Sequence, residues 1–246
     1  LTKSSERDRM VQWLSNEALV FVSDKAGQND LYLLKSNDPN ERNLFKTLKH
    51  KTVRLTRSKE DESDPIISPN GKTIAYKRGR GKLITANIAL GTGLSDEKII
   101  LDGWDTPAGI SWSPDSKWLA YSLSDLEFNE EVYIHKADNS VKPVNISMHP
   151  KRDVSPVWSP DGSKIAFSSL RNNGDYDVWF VWLKKEDWQK TKEDWDEEDI
   201  PDKGDKKKKE EEKEKKTIPN VKIDFDNIYK RKVQVTSFSG GEFIEG

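Results

Sequence analysis

Short apolar runs alternate with tight polar turns along most of this chain. Thr73-Ile74-Ala75-Tyr76 and Lys164-Ile165-Ala166-Phe167 are β-branched and aromatic runs with partial alternation, the pattern of half-buried strands. Each follows a Ser-Pro-Asn/Asp-Gly sequence. That is turn chemistry: Pro fixes φ, the Asn or Asp side chain bonds its own backbone, and Gly accepts positive φ. An apolar run on each side of such a turn predicts a β-hairpin.

The hairpin recurs. Pro65-Ile66-Ile67-Ser68-Pro69-Asn70-Gly71 reappears as Gly109-Ile110-Ser111-Trp112-Ser113-Pro114-Asp115-Ser116, and again as Pro156-Val157-Trp158-Ser159-Pro160-Asp161-Gly162. The prolines 69, 114 and 160 stand 45 and 46 residues apart, and Trp13 to Phe21 is a degenerate earlier copy. A third strand follows at Asp30-Leu31-Tyr32-Leu33, Glu131-Val132-Tyr133-Ile134 and Asp177-Val178-Trp179-Phe180-Val181. A fourth follows at Thr52 to Thr56, Lys142 to Ile146 and Val233 to Thr236. Four strands per repeat of roughly 45 residues make one blade of a β-propeller, so the fold class is all-β, with four-stranded antiparallel blades. Ala75, Ala120 and Ala166 fall where strands crowd together, and packing alone explains them.

The expected blades are residues 10–57, 62–101, 106–147 and 154–236. The first is stretched near 36–51, and the fourth is interrupted between its third and fourth strands by a charged insertion at 184–216. Residues 237–246, with Ser239-Gly240-Gly241-Glu242, resemble the start of a further blade. Four blades with two open ends leave unpaired sheet edges, which a soluble protein avoids. Residues 1–246 are therefore expected to be one incomplete propeller region of a longer chain.

Composition changes the picture in one place. A third of the residues are hydrophobic and 34% are charged, values that border on those of disordered chains. However, 26 of the 33 residues in 184–216 are charged, and the remaining 213 have an ordinary globular composition. The half of the insertion from Lys203 to Lys216 has no apolar residue and is expected to be a solvated loop. In the other half, Trp188 and Trp195 are placed to pin a short helix to the domain. The net charge of −2 gives no global attraction to nucleic acid, and acids adjacent to the lysine run cancel its charge. No apolar run reaches the roughly 18 residues of a membrane span. With no Cys, disulfides, thiolate metal sites and a cysteine nucleophile are excluded.

The search for catalytic chemistry returns little. His50, His135 and His149 have no zinc-type spacing. Gly109-Ile110-Ser111-Trp112-Ser113 fails the nucleophile-elbow pattern at its last position. Asp175-Tyr176-Asp177 and Asp224-Phe225-Asp226 begin like calcium loops but lack the later Gly and Glu, so they are read as turn or strand-edge acids. Trp179-Phe180-Val181-Trp182 offers aromatic surface for a peptide, although blade core accounts for at least half of it. No catalytic, cofactor or metal residue is assigned, and no substrate-binding residue is identified.

The Trp-Ser-Pro-Asp-Gly-x-Lys-Ile-Ala-Phe repeat over residues 10–182 resembles the TolB-type (WD-like) propeller. Three stretches narrow the resemblance: Trp112 to Ser122 followed by Asn129 to Ile134; His149-Pro150 leading through Asp153 into Pro156 to Gly162; and, after the charged insertion, Val221-Lys222-Ile223-Asp224-Phe225-Asp226-Asn227-Ile228-Tyr229-Lys230-Arg231-Lys232-Val233. Together they resemble the N-terminal propeller of bacterial tricorn-like serine peptidases, in which an Ile-Asp-x-Asp-x-Ile-x-x-Arg segment re-enters the blade. The resemblance implies a non-catalytic region that handles or gates peptides for a peptidase core outside this chain. It also implies PDZ-like and peptidase domains downstream in the parent chain, peptides or proteins as partners, and a periplasmic or extracellular location, with the cytoplasm as the alternative. The alternative is a stand-alone TolB-like protein-binding propeller without enzymatic activity.

Overall fold

A computed structural model of the chain describes residues 5–172, 174–198 and 218–237. The expected solvated loop at 203–216 lies outside them, as does all but the first residue of the expected further blade at 237–246. The described residues form four four-stranded antiparallel sheets in which sequence neighbours pair. The first holds β1 (Asp8–Ser15), β2 (Ala18–Ser23), β3 (Asp30–Ser36) and β4 (His50–Arg54). The second holds β5 (Glu62–Ile67), β6 (Thr73–Arg78), β7 (Lys82–Ala89) and β8 (Gly93–Asp102). β9 (Ala108–Trp112), β10 (Trp118–Ser124), β11 (Glu130–Lys136) and the two-residue β12 (Val144–Asn145) form the third. The fourth is β13 (Asp153–Trp158), β14 (Lys164–Asn172), β15 (Asp175–Trp182) and β16 (Lys232–Gln234).

The core lies between the sheets. Val20, Val22 and Leu31 of the first blade pack with Ile74, Tyr76 and Ile84 of the second. Ala75 and Leu83 meet Trp112, Leu119 and Tyr121 of the third blade. Ala120, Val132 and Ile134 meet Trp158, Ile165 and Phe167 of the fourth. Each of the larger aliphatic and Phe side chains among these contributes about 1.5–3 kcal/mol by leaving water, so blade-to-blade packing dominates the stability. Ser95 to Lys98 in β8 are exposed, so that strand is held by its ladder to β7 rather than by burial.

The insertion after β15 begins with two short helices, α1 (Lys185–Gln189) and α2 (Lys192–Glu198). Only one of the two expected tryptophan anchors is used. Trp195 stacks on Trp182 with ring centres 5.4 Å apart, and Lys164 and Lys190 each lie 4.2 Å from one of the two rings. Trp188 stays largely exposed. The chain then returns at 218 and forms a single 3-10 turn, Ile228–Lys230, before β16.

Candidate functional site

Strands one and three of each blade run the same way, so the first hairpin turns and the third-strand ends share one face of the molecule. On that face the repeated turn is built alike three times. The hydroxyl of Ser68, Ser113 or Ser159 donates to the side chain of Asn70, Asp115 or Asp161 at 2.9, 2.6 and 2.5 Å. The same serine oxygen accepts the amide of Thr73, Trp118 or Lys164 at 3.0, 2.9 and 2.9 Å. Gly71 and Gly162 sit at φ +68° and +69°, and Ser116 is held at +61° in the third blade's turn. Burial opposes ionisation of Asp161, but bonds from Ser159 and Ser163, with help from Lys164, outweigh it and hold the carboxyl at about 2.

The blades are also joined by a repeated bond. Trp112 Nε1 donates to the Ile66 carbonyl at 3.0 Å, and Trp158 Nε1 to the Ser111 carbonyl at 3.3 Å. Ser111, the residue of the failed nucleophile elbow, also donates its hydroxyl to the Pro156 carbonyl at 2.8 Å. It is a blade-joining residue.

The opposite face carries buried acids, each clamped. Asp30 pairs with Arg54 and Asp153 with Arg171, both at 2.7 Å. Glu62 pairs with Arg78 at 2.9 Å and also accepts from Thr56 and Ser58. Thr56, Ser147 and Thr236, each just past a fourth strand, accept the third-strand amides of Leu31, Val132 and Val178 at 2.9 Å. Leu55-Thr56, Ile146-Ser147 and Val235-Thr236 are the sequence signal of this repeat, which the hairpin pattern alone does not reveal. These partners are intramolecular, and Asp30 and Asp153 each keep a buried Oδ1 with no hydrogen-bond partner among the described residues.

The remaining candidates are dispersed. His135 is buried between Tyr121 OH at 3.1 Å and Asn139 at 3.0 Å, and burial lowers its pKa. The His149 amide bonds Glu131, and burial with nearby Arg171 lowers that ring's pKa. His50 contacts the Leu44 carbonyl. Asp177 accepts from Gln234, and Asp224 accepts the amide of Lys185. Among the described residues, no group of three or more His, Asp or Glu is arranged to hold a metal ion. In the Trp179 to Trp182 stretch, Val181 is buried, Trp179 packs on the core under Arg171, and Trp182 lies beneath Trp195. Its aromatic surface is used internally.

What the turn face does offer is a series of grooves between neighbouring blades. The one between the first and second blades, about 490 Å³, is crossed by Lys35, whose Nζ donates to the Leu90 carbonyl at 2.8 Å. The one between the second and third, about 650 Å³, is open and is lined by residues including Thr73, Asn87, Lys98, Ser116 and Ala137. The one between the third and fourth is occupied by the returning segment. There Val221 N donates to Asp115 Oδ2 at 3.1 Å and Lys117 Nζ to Asn220 at 3.0 Å. Val221 sits against Gly162, where an added Cβ would lie 2.7 Å from Val221 Cγ2. Phe225 meets Trp118 with ring centres 5.6 Å apart, and Asp224 N donates to the Leu183 carbonyl at 2.9 Å. Arg231, buried, locks the segment by donating to the carbonyls of Leu183 and Asp224.

No protein-family model matches the chain. Among curated proteins, the Protein TolB homolog of Chlorobium chlorochromatii (strain CaD3) is 30% identical over 154 residues, which is 62% of this chain and 31% of that protein. The match thus spans about a third of the relative's length. Among solved structures, the tricorn protease superposes with a TM-score of 0.63 at 13% identity, over 95% of this chain and 22% of that one. The putative TolB from Agrobacterium tumefaciens superposes with a TM-score of 0.53 at 21% identity, over 73% of this chain and 59% of its own. The four sheets are blades of a β-propeller, the fold shared with these tricorn protease and TolB structures. In this propeller the Ser-Pro-Asp turns set the groove rims, and the conserved geometry from blade to blade makes the three grooves directly comparable.

Proposed function

We propose that this chain is a non-catalytic propeller region of a tricorn-like serine peptidase, handling or gating peptide substrates for a peptidase core elsewhere in the parent polypeptide. The observation that carries this reading is the extent of the likeness. The tricorn protease aligns over 95% of the chain, against 73% for the Agrobacterium TolB structure. The Ile223-to-Arg231 segment, which re-enters the fourth blade and is locked by Arg231, agrees with it. The partners are then peptides or proteins and, within the parent chain, PDZ-like and peptidase domains. The location is the periplasm or the cell exterior. Among the described residues no helix is long and apolar enough to cross a membrane.

A second reading is favoured by the 30% identity to a TolB homolog: a stand-alone propeller that binds a protein and has no enzymatic activity. The parent reading frame beyond Gly246 separates the two. A PDZ-like module followed by a serine-peptidase core supports the first. A stop codon after further blades overturns it in favour of the second. In either case the purified chain is expected to hydrolyse no peptide.

A further inference from the structure

We propose that Trp104, Leu126 and Phe128 form a docking surface for a protein segment that presents a bulky apolar side chain between lysines or arginines. The surface lies on the face opposite the hairpin turns and is separate from the grooves there. It is built on two loops: residues 103–107 lead into the third blade, and residues 125–129 join β10 to β11. Ser124 N donates to Asp105 Oδ2 at 3.2 Å and ties the loops together. The rings of Trp104 and Phe128 meet edge to face, 5.5 Å apart. Even so, they are 44% and 77% exposed, and Leu126 is 80% exposed.

The first blade shows that the fold does not require these side chains. Its equivalent loop, between β2 and β3, closes with Gly27 N donating to Asp24 O at 2.9 Å, and in the third blade Phe128 N donates to Asp125 O at 3.1 Å. Phe128 therefore stands where Gly27 does, and Leu126 where Lys25 does. The position takes left-handed backbone: φ is +90° at Gly27 and +64° at Phe128. Glycine adopts that conformation freely, whereas a bulky side chain is strained in it. Asp125 holds the strained turn closed by accepting the amides of Glu127 at 2.9 Å and Asn129 at 2.8 Å. A phenylalanine that strains its backbone and leaves its ring largely in water adds little to stability. Apolar side chains kept exposed in this way mark an interaction site.

The charge around the patch defines the occupant. Residues 102–107 and 124–130 contain five acids, Asp102, Asp105, Asp125, Glu127 and Glu130, and no Lys or Arg. The cations beside them are engaged. Arg152 pairs with Glu130, Lys82 Nζ pairs with Glu60 at 2.8 Å, and Arg80 acts on Asp105. Asp102, Asp125 and Glu127 have no ion pair among the described residues. An apolar centre with an acidic rim complements an apolar side chain flanked by basic ones and disfavours acidic partners.

The test uses two fluorescein-labelled dodecapeptides with leucine and phenylalanine at the centre, one with three lysines at each end and the other with three glutamates. Fluorescence anisotropy with the full chain is expected to show saturable binding of the lysine peptide and at least tenfold weaker binding of the glutamate peptide. Leu126→Lys combined with Phe128→Gly gives the loop its first-blade residues. That variant is expected to bind the lysine peptide at least tenfold more weakly, while unfolding at the same temperature or higher. Glu127→Lys, which reverses one exposed rim charge, is expected to weaken binding severalfold. Undiminished binding by the double variant overturns the patch, and equal binding of the two peptides overturns the basic partner. No binding by the unmodified chain overturns both. A dimer in sedimentation velocity that the double variant abolishes assigns the patch to a second copy and also overturns the proposal. The peptide-handling reading stands or falls separately, on the reading frame beyond Gly246.

Discussion

The indole of Trp158 reaches out of its own blade and donates to the carbonyl of Ser111, 3.3 Å away in the preceding one. Trp112 makes the same bond to Ile66, so the repeat encodes both a hairpin and the link to its neighbour. Because Trp158 is buried, losing the indole N–H removes that bond from inside the interface. Trp158→Phe is expected to destabilise the chain by about 1–3 kcal/mol, combining the lost bond and the smaller ring. Urea unfolding monitored by circular dichroism measures this. A change within error would mean that the bond does not couple the blades.

Arg231 holds the returning segment over the groove between the third and fourth blades. Arg231→Met keeps much of the side-chain volume but removes both donors, at an expected cost of about 1–3 kcal/mol. The local consequence is more specific: the amides of Val221 and Asp224 are expected to exchange with solvent at least tenfold faster, while those of β6 and β10 stay protected. Unchanged exchange at Val221 would show that the segment is held without the arginine.

Asp161 gives the fourth-blade turn a defined pH dependence. Its folded pKa of about 2 lies below the unfolded value of about 3.9. Its contribution to stability is therefore complete above about pH 4 and is lost as pH falls through about 2. Asp161→Asn should fold normally, because Asn70 performs the same turn role in the second blade. The stability gap between the native chain and this variant should shrink between pH 4 and pH 2, as followed by urea titrations. A gap independent of pH would refute the assignment.

The fold was legible because its information is local. Ser68 to Gly71, Ser113 to Ser116 and Ser159 to Gly162 each satisfy their own hydrogen bonds within five residues. The groove filler was not legible as such. The motif around Ile223 to Arg231 was visible, but its target, the Leu183 carbonyl, lies 48 residues away across the charged insertion. The open groove was still less visible. It appears only when Thr73 of one repeat and Ser116 and Ala137 of the next are brought to one rim. Trp182 shows the converse: an aromatic that resembles a binding surface in sequence is consumed by stacking on Trp195.

The claim that matters most is that this chain handles peptides without cleaving them. Hydrogen-exchange mass spectrometry of the full chain, with and without a mixture of unstructured decapeptides, tests it most directly. Slowed exchange is expected on the turn face, in residues 70–73, 85–87 and 114–117, with every peptide recovered intact. The opposite face carries an exposed apolar patch in which Trp104 packs against Phe128, with Leu126 nearby in sequence. Protection confined to residues 104 and 125–128, with none on the turn face, or cleavage of the peptides, would contradict the account.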